Sequence, residues 1–155
     1  MQELFHSRLT PAFRRTPRAS FGQGAIALWL TDPPGAVVQF RERVKGTLAM
    51  ATWLVESAYD VLDARYPGRT DLLLVLDLHA MVGRSAAARS VLLHAARTLG
   101  HRFARVFVVP PTEYPPMYLH AFQASIAVAR ALGIRVELVD SSASVVERLR
   151  LRAIE

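Results

Sequence analysis

The chain has 155 residues, 52% of them apolar and none of them cysteine, with a formal net charge of +6. That length suits one domain able to fold without a metal or disulfide, and the missing cysteines exclude disulfides, thiolate zinc sites, iron–sulfur clusters and cysteine nucleophiles. Residues 21–146 hold twelve basic and ten acidic side chains, so most of the positive excess lies at the ends and nucleic acid is not an expected partner.

Residues 1–20 contain four arginines, Pro11 and Pro17 around the isolated apolar Leu4, Phe5, Leu9 and Phe13. They read as a basic arm, flexible or docked, ahead of a domain over 21–155. The arm has no apolar signal-peptide core. No apolar run in the chain reaches the roughly 18–20 residues that span a bilayer. A soluble, cytoplasmic domain without a membrane span is the expectation.

Ala25 to Leu30 forms the first apolar strand, and Asp32-Pro33-Pro34-Gly35 turns the chain into a second strand through Val37, Val38 and Phe40. From about 45 to 66 the period becomes helical, with Leu48, Ala51, Val55, Ala58 and Leu62 on one face and Pro67-Gly68 as the stop. Leu72 to Leu78 is a continuous apolar run, the pattern of a central parallel strand buried on both faces. A loop from His79 to Arg84 leads to Ser85, a helix N-cap. The stripe Ala88, Val91, Leu92, Ala95 and Leu99 ends at Gly100. Val106 to Val109 is the next buried strand, and Pro115-Pro116 opens a helix lined by Leu119, Phe122, Ile126 and Ala129. Ile134 to Leu138 alternates as an edge strand with one wet face, and Asp140-Ser141-Ser142 caps a last helix through Val145, Val146 and Leu149. Helices separating strands in this order give an α/β layered domain: a five-stranded, mostly parallel mixed sheet and four helices.

Motif chemistry is mostly excluded. The chain has no GxGxxG after a strand, no GxxxxGK[ST] and no GxSxG, which removes the dinucleotide fold, the P-loop and the hydrolase elbow. Phe21-Gly22-Gln23-Gly24 precedes a strand instead of following one and so lacks a helix N-terminus for phosphate. His6, His79, His94, His101 and His120 show no metal-ligand spacing, so neither a metal nor a cofactor is expected. Functional groups in open parallel sheets collect beyond the strand carboxyl ends. Here those ends hold Asp77, His79, Met81, Gly83, Arg84 and Ser85 in one loop and Thr112, Glu113 and Tyr114 in another. Neighbouring crossover strands would place both loops on one rim. A hydrolase built on Asp77, His79, Ser85 and Glu113 is one reading of that rim. The plainer one has Ser85 capping its helix and Asp77 holding the loop.

The segment Leu73 to Leu78 followed by Ser85, and the ending Gly133 to Val139 followed by Ser141-Ser142 and Val145 to Leu149, resemble the STAS (anti-sigma-factor-antagonist, SpoIIAA-like) domain family over about residues 24–150. The resemblance implies a non-enzymatic protein-interaction module that partners another protein, such as a kinase-like regulator, and is switched by phosphorylation. Where the family carries Asp-Ser-Ser-Gly, this chain has Gly83-Arg84-Ser85-Ala86, so Ser85 is the phosphorylatable group that remains. A phosphate there would add nearly two negative charges beside a helix N-terminus. The alternatives are a small apolar ligand or lipid-binding domain of SEC14/SpoIIAA-like type, with Trp29, Trp53, Met81, Met117 and Tyr118 as pocket groups, and a scaffold subunit or homo-oligomer assembled through the arm or the edge strand.

Overall fold

The computed structural model describes residues 11–155; Leu4, Phe5, His6 and Leu9 lie outside them. The strands are β1 (Ala19–Phe21), β2 (Ile26–Asp32), β3 (Gly35–Phe40), β4 (Val44–Gly46), β5 (Leu72–Asp77), β6 (Met81–Arg84), β7 (Phe103–Val109), β8 (Val136–Leu138) and β9 (Arg152–Ala153). The α-helices are α1 (Leu48–Trp53), α2 (Tyr59–Arg65), α3 (Ala86–Leu99), α4 (Pro116–Ala131) and α5 (Ser142–Arg148). A π-helical turn, Leu54–Ala58, joins α1 to α2, so the first expected helix is one rod of three parts.

The main sheet runs β1-β2-β3-β5-β7-β8, with β9 also pairing β2, and is therefore seven-stranded, not five-stranded; β4 and β6 form a second, two-stranded sheet. All five expected strands are present. The additions are short, two to four residues each, and two of them extend the antiparallel side of β2. From β3 through β8 the neighbours are parallel, as the helical crossovers require.

Side chains alternate across the sheet. On one face Leu28, Leu30, Ala36, Val38 and Phe40 join Met50, Leu62 and Tyr66 of the helical rod, and Val106 and Val108 join Phe122 of α4. On the other face Trp29, Val37, Val75 and Phe107 pack with Val145 of α5. The arm reaches that second face. The Phe13 ring meets Trp29 edge-on at 5.7 Å, Trp29 Nε1 donates to the Arg15 carbonyl at 2.8 Å, and Arg18 N donates to the Leu28 carbonyl at 2.8 Å. Residues 12–21 are thus docked by specific hydrogen bonds and an aromatic anchor.

The ends of the helices follow ordinary capping chemistry. Thr47, Ser85 and Ser141 each accept from the backbone N–H three residues on, which satisfies one otherwise orphaned donor per helix. Arg102, only 5% exposed, ties the α3–β7 connection to the rod. It donates to Asp63 at 2.7 Å, to the Tyr66 carbonyl at 2.7 Å, to Tyr59 Oη at 2.5 Å and to the Arg69 carbonyl at 2.5 Å. A buried guanidinium survives this way, with a carboxylate and nearly every N–H engaged. Among the described residues no helix is long and apolar enough to cross a membrane.

Candidate functional site

The carboxyl ends of β5 and β7 lie side by side, because Asp77 pairs with Val109 in the parallel ladder. Leu78 N donates to the Val109 carbonyl at 3.0 Å, and Thr112 donates to the His79 carbonyl through its N–H at 3.3 Å and its hydroxyl at 3.0 Å. These bonds stitch the two expected loops into one rim. At its root Asp77 is 1% exposed. Its Oδ1 accepts from His79 N at 3.2 Å and from His79 Nδ1 at 2.5 Å, and its Oδ2 accepts from Gln39 Nε2 at 3.2 Å. Gln39 Nε2 also lies 3.2 Å from Ser142 Oγ, and Gln39 Oε1 accepts from Ala12 N at 3.2 Å. The Asp77 hydrogen bond fixes the His79 tautomer with its proton on Nδ1. Its Nε2 is buried without a partner among the described residues.

The other rim residues take separate roles. Ser85 Oγ accepts from Ala88 N at 3.1 Å as the helix cap, while its own N–H donates to the Gly46 carbonyl at 2.9 Å. Among the described residues no hydrogen bond joins Ser85 to His79. Glu113 is exposed and pairs with Arg43 at 3.1 Å. Met81 is buried in the core and Gly83 is buried in β6, so residues expected in a loop form a strand against β4. No group of three or more potential metal ligands occurs among the described residues.

Arg84 turns away from the rim. Its guanidinium donates to Ser125 Oγ on α4 at 3.0 Å and lines a cavity of about 260 Å³ between the sheet and the helical layer. The floor is Leu74 and Leu76 of β5 with Val106 and Val108 of β7; the walls come from the rod, α3 and α4. Every lining side chain is apolar except Tyr59, Arg84 and Ser125. Leu54, Val55 and Ala58 of the π turn line it too, and such turns recur at functional sites. Its origin is visible in the side chains: Ala58, Ala95, Ala96, Ala129 and Ser125 face the sheet where larger residues would close the gap. Leu74 and Leu76, expected to be buried on both faces, are therefore only half-buried.

The aromatic and methionine groups expected to form a pocket do not line this one. Trp29 is buried on the opposite face, Trp53 meets the Phe21 ring at a tilt with centroids 5.7 Å apart, Met81 is core, and Met117 is 70% exposed. Tyr118 instead contacts Tyr114 at 5.8 Å.

A small electropositive corner borders the cavity. Arg89 Nε donates to the same Ser125 Oγ at 3.2 Å, and Ser125 donates to the Ala121 carbonyl at 2.9 Å. Burial, with the like charge of Arg89 beside it, holds the Arg84 guanidinium below its ordinary range, while the Tyr114 phenol acts in the opposite sense. Burial pushes the Tyr114 phenol up, and the charge of Arg84 partly offsets this. Tyr114 Oη is buried without a hydrogen-bond partner among the described residues. Sequence reading placed Arg84 and Tyr114 on the rim but missed Arg89 and Ser125. One helical serine among alanines was the signal present. No protein-family model, curated protein or solved structure matches the chain.

Proposed function

We propose that this chain is a non-enzymatic ligand-binding domain that holds a small apolar molecule between its sheet and its helical layer. The single observation that carries the reading is the 260 Å³ cavity with its almost wholly apolar lining. Left to water, that apolar lining carries a hydration cost of roughly 25 cal/mol for each Å² uncovered. Water is a poor filler, because it needs two to four polar partners that this lining does not supply. An apolar ligand removes the cost. The engagement of Ser85 Oγ as a cap, away from His79, supports binding over hydrolysis.

Filling the cavity tests this directly. Ala96 lines it from α3, and leucine is nearly as good a helix former as alanine. Ala96→Leu is expected to leave the melting temperature unchanged or higher while weakening binding of 1-decanol at least about tenfold, a loss of roughly 1.4 kcal/mol, as measured by calorimetric titration. Unchanged affinity would place binding elsewhere and remove the reading.

A second reading is supported by the stitched rim: an interaction module resembling the anti-sigma-factor antagonists, with Thr112 and Glu113 exposed and Thr112 bonded to His79. Aspartate caps a helix as well as serine does, so Ser85→Asp changes charge without losing the cap. Affinity purification from the native host is expected to recover a partner on the unaltered chain that is reduced severalfold on Ser85→Asp. Equal recovery on both would eliminate a switch at this position.

A further inference from the structure

Resting on the ligand-binding reading, we infer that the molecule held in the cavity is an amphipathic anion: an aliphatic tail between sheet and helices, with a carboxylate or phosphate head on Arg84 and Arg89. Arg84 and Arg89 are both residues of intermediate exposure, and both donate to the one hydroxyl of Ser125. That hydroxyl is already saturated, since it accepts twice and donates to the Ala121 carbonyl. Among the described residues no carboxylate lies within ion-pair distance of either arginine, whereas Arg43, Arg69, Arg102, Arg105, Arg148 and Arg152 each have one.

The contrast with Arg102 is decisive. That buried guanidinium is met by a carboxylate, a phenol and two carbonyls. Arg84 meets a neutral hydroxyl and a like charge. Two cations converging in a low-dielectric corner repel each other, and a shared anion turns that repulsion into two charge-assisted bonds. Because Arg84 and Ser125 line the cavity, head and tail sites are continuous. Scaling from a 150 Å³ cavity that binds benzene, 260 Å³ holds a tail of about ten carbons.

The test is calorimetric titration of the full chain with decanoate, decyl phosphate and 1-decanol, each below its aggregation concentration, near neutral pH and at two salt concentrations. Decanoate or decyl phosphate is expected to bind about tenfold more tightly than 1-decanol. The better of the two anions identifies the head. Arg84→Gln and Arg89→Gln are each expected to reduce the ratio of anion to 1-decanol affinity severalfold, and Arg84→Lys is expected to retain part of it. If 1-decanol binds as tightly as both anions, or the preference survives in the double glutamine variant, the anion inference is overturned and the cavity reading stands. If none of the three binds, the cavity reading falls with it.

Discussion

Gly35→Ala is expected to destabilise the protein by at least about 3 kcal/mol, the upper range for overpacking a core, and in expression trials to yield little folded protein. Gly35 opens β3 directly beside Leu73 of β5. A Cβ at this position would sit 2.0 Å from the Leu73 carbonyl oxygen and 2.9 Å from its nitrogen. The obstacle is backbone in the middle of the parallel sheet, held by the Leu73 N to Pro34 carbonyl bond of 3.0 Å, so no rotamer change relieves it. Gly83→Ala supplies the contrast. Gly83 is equally buried, but its added methyl would meet only the Tyr118 ring at 3.8 Å, an ordinary contact, and a change within about 0.5 kcal/mol is expected. Denaturant unfolding of the pair measures both. A Gly35→Ala protein as stable as the parent would mean that β3 and β5 are not paired in this register.

Asp77→Ala is expected to cost about 3–5 kcal/mol, because it strips the acceptor from several buried donors at once, and to lower the melting temperature by about 10 °C in a domain of this length. The carboxylate is the acceptor for three buried donors: His79 N, His79 Nδ1 and Gln39 Nε2. Alanine removes the acceptor and leaves those donors deeply buried, with Gln39 at 1% and His79 at 6% exposure, where each unsatisfied group costs on the order of 1–3 kcal/mol. His79→Ala removes a single partner and is expected to cost less. In a double-mutant cycle the two losses are expected to be non-additive, since they share one hydrogen bond. A loss below about 1 kcal/mol for Asp77→Ala would show that water reaches this network.

The order of strands and helices was legible because apolar periodicity records which faces are covered. Leu72 to Leu78 announced a central strand, and the Ser85 and Ser141 boundaries followed from side chains whose local bonding is the same in any fold. The missing strands had no such record. β1 lies in a segment of arginine and proline and owes its pairing to Leu28 across the sheet; β9 spans two residues; Val82 and Gly83 give β6 no alternation distinct from a loop. Such short strands are decided by neighbours distant in the chain, and a local window does not contain them.

The candidate site was legible in a different proportion. Asp77, His79 and Thr112 meet as the strand order implied, because parallel neighbours bring consecutive loops together. Ser85 is the cap that the pattern suggested. Arg84 was legible as a charge but not as a cavity group, since its direction depends on Ser125, forty-one residues away on α4. The cavity itself was illegible for a related reason. An apolar stripe signals which face is covered but not whether the covering residues are large enough to fill the space. The alanines of α3 and α4 satisfy the stripe while leaving volume over Leu74 and Leu76.

That volume is the centre of the account, and methyl-selective NMR observes it directly. With leucine and valine methyls labelled, 1-decanol is expected to shift Leu74, Leu76, Leu92 and Val108, which line the cavity, and to leave Val37 and Val75 on the opposite face undisturbed. Shifts confined to exposed residues such as Leu48, Leu119 and Leu132, with the four cavity residues unmoved at saturating alcohol, would contradict it.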